Sequence, residues 1–179
     1  MLYRHLLHLR ALIVAILAAL PCSAIACSIA GAGLFNPTLQ RFEAHPGPRQ
    51  MPGAETGDYW EKVPAPIVHV VSIKRGTAPA GSTCDDAGIL VLAIELPPAS
   101  TYRIDQFGVY FRVLDGKLPD EIFPTVPMIG VVQNNVMSLA FPWLDGLPSK
   151  QVHLNLKVEA FLVTNGLDIG PSTIFEVRD

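Results

Sequence analysis

One run of residues constrains the fold of this chain more than any other. Val152, Leu154, Leu156, Val158, Ala160 and Leu162 are apolar at every second position, and the residues between them begin His153, Asn155, Lys157 and Glu159. A strand turns successive side chains to opposite faces, so this period predicts a strand with one face in a core and the other toward water. Its polar face turns apolar at Phe161 and Val163. Similar patterns precede it. Ile67 to Lys74 (IVHVVSIK) is β-branched and predicts a first strand, and Ile89 to Leu96 (ILVLAIEL) is almost continuously apolar, which predicts a central strand buried on both faces. Phe107, Val109, Phe111 and Val113 face one way, with Gly108, Tyr110, Arg112 and Leu114 opposite, before Asp115-Gly116 turns the chain.

Turn chemistry separates these runs. Pro97-Pro98 ends the second strand. Met128 to Gln133 and Val136 to Phe141 flank Asn134-Asn135, a two-residue hairpin turn, because Asn tolerates positive φ. Asn165-Gly166 is the strongest hairpin signal, and Thr173 to Arg178 supplies the closing strand. After residue 66 no apolar pattern of helical period has useful length. About seven strands joined by Pro, Gly and Asp turns predict an all-β domain over residues 66–179. The expected architecture is a single Ig-like antiparallel sandwich, with a small barrel as the alternative.

The N-terminus reads as an address. Arg4 and Arg10 with His5 and His8 precede an unbroken apolar run, Ala11 to Leu20, and Pro21 ends it before Ala24-Ile25-Ala26. That order predicts a secretory signal over residues 1–26, with an apolar run too short to span a bilayer. The expected location is periplasmic or secreted. Cleavage removes Arg4 and Arg10 and no acid, so Lys plus Arg falls from 13 to 11 against 16 acids and the net charge moves from −3 to −5. No basic stripe of the kind nucleic-acid binding needs is present, and no later apolar run is long enough for a membrane span.

Cys27 and Cys84 remain in an oxidising compartment, so a disulfide is the simplest expectation. Closing a loop of that length is worth about 4 kcal/mol in the chain-entropy account. Ala24-Ile25-Ala26-Cys27 is also a loose lipobox, which would make Cys27 a lipid attachment site and the chain an outer-membrane lipoprotein. Residues 27–65 are rich in Pro and Gly and predict an irregular arm with one helical turn near Thr38 to Ala44. Tyr59 and Trp60 are its large aromatic pair.

Between residues 66 and 179 the chain resembles a fibronectin type III domain. Leu92 to Pro98 (LAIELPP) is similar to an apolar strand ending in Pro-Pro, Phe107 to Arg112 (FGVYFR) to an aromatic-led third strand, and Val158 to Val177 (VEAFLVTNGLDIGPSTIFEV) to the closing hairpin. Ile94 or Glu95 stands near the place of the family's buried Trp, and Leu154 near that of its corner Tyr, so the likeness is of fold type. It implies a spacer or binding module and carries over no catalytic or cofactor residue.

Chemistry is sparse. The mature chain holds His45, His69 and His153, without metal-ligand spacing, and Asp85-Asp86 lacks the alternating acids of a calcium loop. No metal and no cofactor is expected. A small envelope hydrolase would have to draw on His69, His153 and the Cys84-Asp85-Asp86 loop, and no nucleophile elbow is present. The expected function is a non-catalytic binding or assembly module of a bacterial cell envelope, contacting a protein or glycan through a surface that includes Trp60, Trp143, Phe161 and Val163; the alternative reading has the N-terminal arm fold back over that apolar surface, with Trp60 filling the gap. Trp143 is expected in a loop from Pro142 to Pro148.

Overall fold

The computed structural model describes residues 32–35, 63–80, 84–117, 122–165 and 169–179. The expected signal, Cys27, the helical turn at Thr38 to Ala44, the Tyr59-Trp60 pair and Gly166 lie outside the described residues. Eight strands form: β1 Ala32–Leu34, β2 Ile67–Lys74, β3 Ala87–Glu95, β4 Gly108–Asp115, β5 Met128–Gln133, β6 Val136–Leu144, β7 Asn155–Val163 and β8 Ile169–Arg178. Helical structure among the described residues is confined to three single 3-10 turns, Cys84–Asp86, Ile104–Gln106 and Pro148–Lys150.

Every pairing is antiparallel, and the strands follow the order β2-β3-β6-β5-β4-β7-β8, with β1 added to β5. The sandwich expected from the sequence is thus barrel-like instead, a single nearly closed sheet. The cause is β5, which serves both layers. Its second half ladders with β6, from Val131↔Ser138 to Gln133↔Val136, while Met128 at its start pairs with Val109 of β4 and Leu34 of β1. On the far side β2 and β8 approach one another without a ladder.

The core forms where the alternation put it. Leu90, Leu92 and Ile94 of β3, Val109 and Phe111 of β4, Met137, Leu139 and Phe141 of β6, and Leu156, Val158, Ala160 and Leu162 of β7 are buried together. Three rings lie at its centre and a fourth, half-exposed, at its edge: Phe111 stacks on Phe123 at 5.2 Å and meets Phe141 and the peripheral Phe175 edge-on at 5.3 and 6.3 Å. Such pairs add to the burial of their area.

The Asn134-Asn135 turn has φ of 51° and 62°, the left-handed pair that joins two-residue hairpins. Its two residues are not equivalent. Asn135 Oδ1 accepts a hydrogen bond from the Ile104 N–H, capping the turn that precedes β4. Asn135→Gly should therefore cost about 1 kcal/mol in urea unfolding through that lost bond, whereas Asn134→Gly should be neutral or better.

Three strand expectations need correction. β3 is buried on one face only: Leu90, Leu92 and Ile94 are enclosed, while Ile89, Val91 and Ala93 are half-exposed. The period-2 run starts its strand at Asn155 rather than Val152, because Pro148–Lys150 and the bonds around Val152 hold the preceding residues out of the ladder. Finally, β6 continues through Pro142 to Leu144, so Trp143 is a strand residue. Proline is tolerated there because β5 no longer ladders with β6 beyond Ser138. The short strand β1 falls within the stretch expected to be irregular. Three residues without alternation give too little signal to find it.

Candidate functional site

Trp143 pairs with Gly88 on β3 and is 4 % exposed. A Cβ placed on Gly88 would lie 2.2 Å from the indole ring, so the glycine makes the room in which Trp143 packs. Gly88→Ala should lower stability by about 1–3 kcal/mol through overpacking, read as a shift in the urea midpoint at constant slope. Val163 is 2 % exposed. Its strand partner is Gly108, and the buried Phe35 ring lies directly over that glycine. Neither Trp143 nor Val163 therefore offers a surface. Phe161 is half-buried between Tyr110, 6.2 Å away, and the Arg112 guanidinium, 5.3 Å from the ring centre. Arg112 also donates from Nε to Glu159 at 2.9 Å. The Ser172 hydroxyl is the main cause that holds the Glu159 carboxyl below its ordinary value. Burial opposes the shift and Arg112 reinforces it. The expected contact surface thus reduces, among the described residues, to Phe161 in a self-satisfied polar and aromatic array.

The residues a hydrolase would draw on lie on separate elements. His69 lies on the outer side of β2, paired with Ala93, and His153 is almost fully exposed before β7, with Nδ1 3.4 Å from Asp179. Cys84, Asp85 and Asp86 form a 3-10 turn ahead of β3, where the Asp86 carbonyl accepts from the Asp145 and Gly146 N–H groups at 3.0 Å.

One cluster was not visible in the sequence. Arg75, just past β2, donates to both Asp145 carboxylate oxygens at 2.8 Å and to the Val152 carbonyl at 3.0 Å, and also pairs with Asp179 beyond β8. Asp145 further accepts from the Gly76 N–H at 2.7 Å, and its side chain is only 1 % exposed. Burial alone would raise this carboxyl. The Arg75 guanidinium and the Gly76 N–H outweigh it and hold the group below its ordinary value. The buried Trp143 indole N–H helps from outside hydrogen-bond geometry. This clamp joins the ends of β2, β6 and β8 at the side where β2 and β8 lack a ladder.

The surface that remains without a structural role is the outer face of β2, β3, β6 and β5. Alternation places Ile89, Val91 and Ala93 there from β3, Val136, Ser138, Ala140, Pro142 and Leu144 from β6, and Val131 and Gln133 from β5. Val131 is 49 % exposed and Leu144 63 %. Val91, Val131, Gln133, Asn134, Val136, Ser138 and Ala140 enclose a shallow concavity of about 540 Å³. An antiparallel sheet with a solvated outer face normally alternates apolar and polar residues, and here the outward residues named on β3 and most of those on β6 are apolar too. Ser138 and Gln133 are the polar ones among those named, and His69, Ser72 and Lys74 are outward on β2. The signal for it was legible in the continuous hydrophobicity of Ile89 to Leu96. No protein-family model matches the chain, and neither a curated protein nor a solved structure matches it.

Proposed function

We propose that this chain is an exported, non-catalytic binding or assembly module of the cell envelope, which docks a protein surface on the outer face of β2, β3, β6 and β5. The observation that carries the reading is β3: it is apolar on both faces, yet only one of them is packed. Contiguous exposed apolar surface rimmed by polar groups marks partner sites. Gln133, Asn134, His69 and Lys74 supply that rim.

The strand order supports the fold-level part of the reading. The sequence β2-β3-β6-β5 followed by β4-β7-β8 corresponds to the A-B-E-D and C-F-G layers of an immunoglobulin-like domain. The fibronectin type III likeness of residues 66–179 rests on the sequence and belongs to the same proposal. Export and a Cys27–Cys84 tether belong to the same proposal. Under this proposal mass spectrometry of the unreduced chain should recover the peptide that holds Cys84 joined to one that holds Cys27. A lipid on Cys27 would replace the tether with an outer-membrane anchor.

A photo-crosslinking residue at Val131, compared with one at the exposed Lys157 on the opposite layer, tests the docking face in the native host. A discrete protein adduct from position 131 alone is expected. If neither position yields an adduct, while His153→Ala and Asp86→Ala, both away from that face, abolish the cellular phenotype, the face is not the functional surface and the hydrolase reading takes its place.

A further inference from the structure

The strand order ends at β2 on one side and at β8 on the other, and no ladder joins the two. A free edge is a template for another strand unless something blunts it. β2 is blunted by a bulge between Val70 and Ser72 and by Lys74 at its end. β8 is not. From Ser172 to Arg178 its register against β7 is unbroken, it holds no lysine, and Pro171 lies before that stretch. Its two charges, Glu176 and Arg178, pair with each other at 2.8 Å. The Asp179 N–H bonds the Leu154 carbonyl, which fixes the phase of the ladder. Val177, Phe175 and Thr173 therefore bond β7, and the N–H and C=O groups of Ser172, Ile174, Glu176 and Arg178 point away from it. Among the described residues, no backbone hydrogen bond reaches those outward groups. Beside them stand Ile174, 52 % exposed, and the half-exposed Phe175.

We propose that β8 of one copy pairs antiparallel with β8 of a second copy, edge to edge, about a two-fold axis perpendicular to the sheet at Ile174. Ile174 then faces its counterpart, and Ser172 of each copy faces Glu176 of the other. All of these residues direct their backbone groups outward, so each facing pair exchanges both of its hydrogen bonds. On the inner face Thr173 of each copy stands beside Phe175 of the other and covers part of a half-exposed ring. No like charges oppose one another, as an isologous edge requires. Neighbouring registers do worse. An axis at Phe175 would set Glu176 diagonally against its counterpart. An axis at Thr173 would leave only Ser172 and Ile174 to pair, because the register shifts beyond Ser172. The axis is perpendicular to the β4-β7-β8 layer, so both copies keep the same side up. Their outer faces of β2, β3, β6 and β5 then point the same way, which gives a partner with two sites the benefit of avidity. The pairing goes beyond the docking face and does not depend on it.

Sedimentation velocity on the full chain as recovered from the expressing cell tests it, with thermal melts as the control for folding. Wild type should sediment as a concentration-dependent dimer. Ile174→Pro removes an N–H that points away from β7, so it should leave a folded monomer. Ile174→Lys opposes two ammonium groups at the axis and removes the apolar contact there. It should weaken association by about tenfold or more while the chain still melts as a folded protein. Under mild oxidation Ile174→Cys should link two copies, since directly facing residues lie within disulfide reach, and Glu176→Cys should not. A wild-type chain that stays monomeric overturns the inference. So does a dimer indifferent to both Ile174→Pro and Ile174→Lys, or one linked through position 176 and not 174. A monomer that still yields a protein adduct from position 131 excludes the pairing and leaves the docking face standing, and a dimer without that adduct does the reverse.

Discussion

Arg75→Ala is expected to lower unfolding free energy by about 3–5 kcal/mol, the cost typical of breaking a buried ion pair by removing one partner. The figure follows from what the substitution leaves behind. The Asp145 side chain is 1 % exposed, so it cannot recover water when its guanidinium is lost, and only the Gly76 N–H remains to satisfy it. Asp179 loses the same cation, and the side of the barrel where β2 and β8 lack a ladder loses its cross-link. Urea unfolding should show the change as a lower midpoint. Arg75→Lys should recover only part of it, because an ammonium cannot donate in parallel to both Asp145 oxygens. A loss under 1 kcal/mol would mean that the clamp decorates a barrel end held by other contacts.

The clamp also fixes the sign of the pH dependence. The Asp145 carboxyl is held below its ordinary value of 3.8. A carboxyl depressed by folding contributes stability that is complete above its unfolded-state value and is lost as pH falls through the folded-state value. Wild type should therefore lose stability on acidification below about pH 4, with Glu159 adding in the same direction. In Arg75→Ala the acid limb of the stability profile should be shallower, since the charged form of Asp145 is no longer favoured. Melting temperatures between pH 3 and pH 7 for the two proteins give the comparison.

Phe111→Ala is expected to cost a similar 3–5 kcal/mol, for a different reason. Phe111 is 3 % exposed and is the ring that meets Phe123, Phe141 and Phe175. Its removal empties the space between two layers and also unseats Phe123, which belongs to the irregular connection before β5. Phe175→Ala should cost less, because that ring is half-exposed and touches the cluster from the side of β8. Equal losses at both positions would show that the cluster does not centre on Phe111. Neither substitution should alter the docking face, which lies on the opposite side of β3 and β6.

Much of the framework was legible before any coordinates. Ile67 to Lys74 and Met128 to Gln133 form strands with the bounds that their composition predicted, and the inward set of β4 is the one the alternation named. These features depend on the period of side chains along one strand and on the φ preference of two asparagines, both local properties. The candidate site was legible only in part. The unbroken hydrophobicity of Ile89 to Leu96 announced two apolar faces, but not that one would stay unpacked. Trp143 and Val163 read as surface residues, because nothing nearby in the sequence reveals a glycine 55 residues away that makes room for an indole, or a Phe35 ring laid over Gly108.

What the sequence determined by itself is therefore the strand class, the phase of β4 and β7 and the Asn134-Asn135 turn, since pleating and turn sterics act within a few residues. Only the tertiary structure decided that β5 would join both layers into a barrel-like sheet. It alone brought Arg75 to Asp145 across 70 residues and left the outer side of β3 open. Those outcomes depend on which distant segments meet, and burial and ion pairing reward contacts in space whatever their separation along the chain.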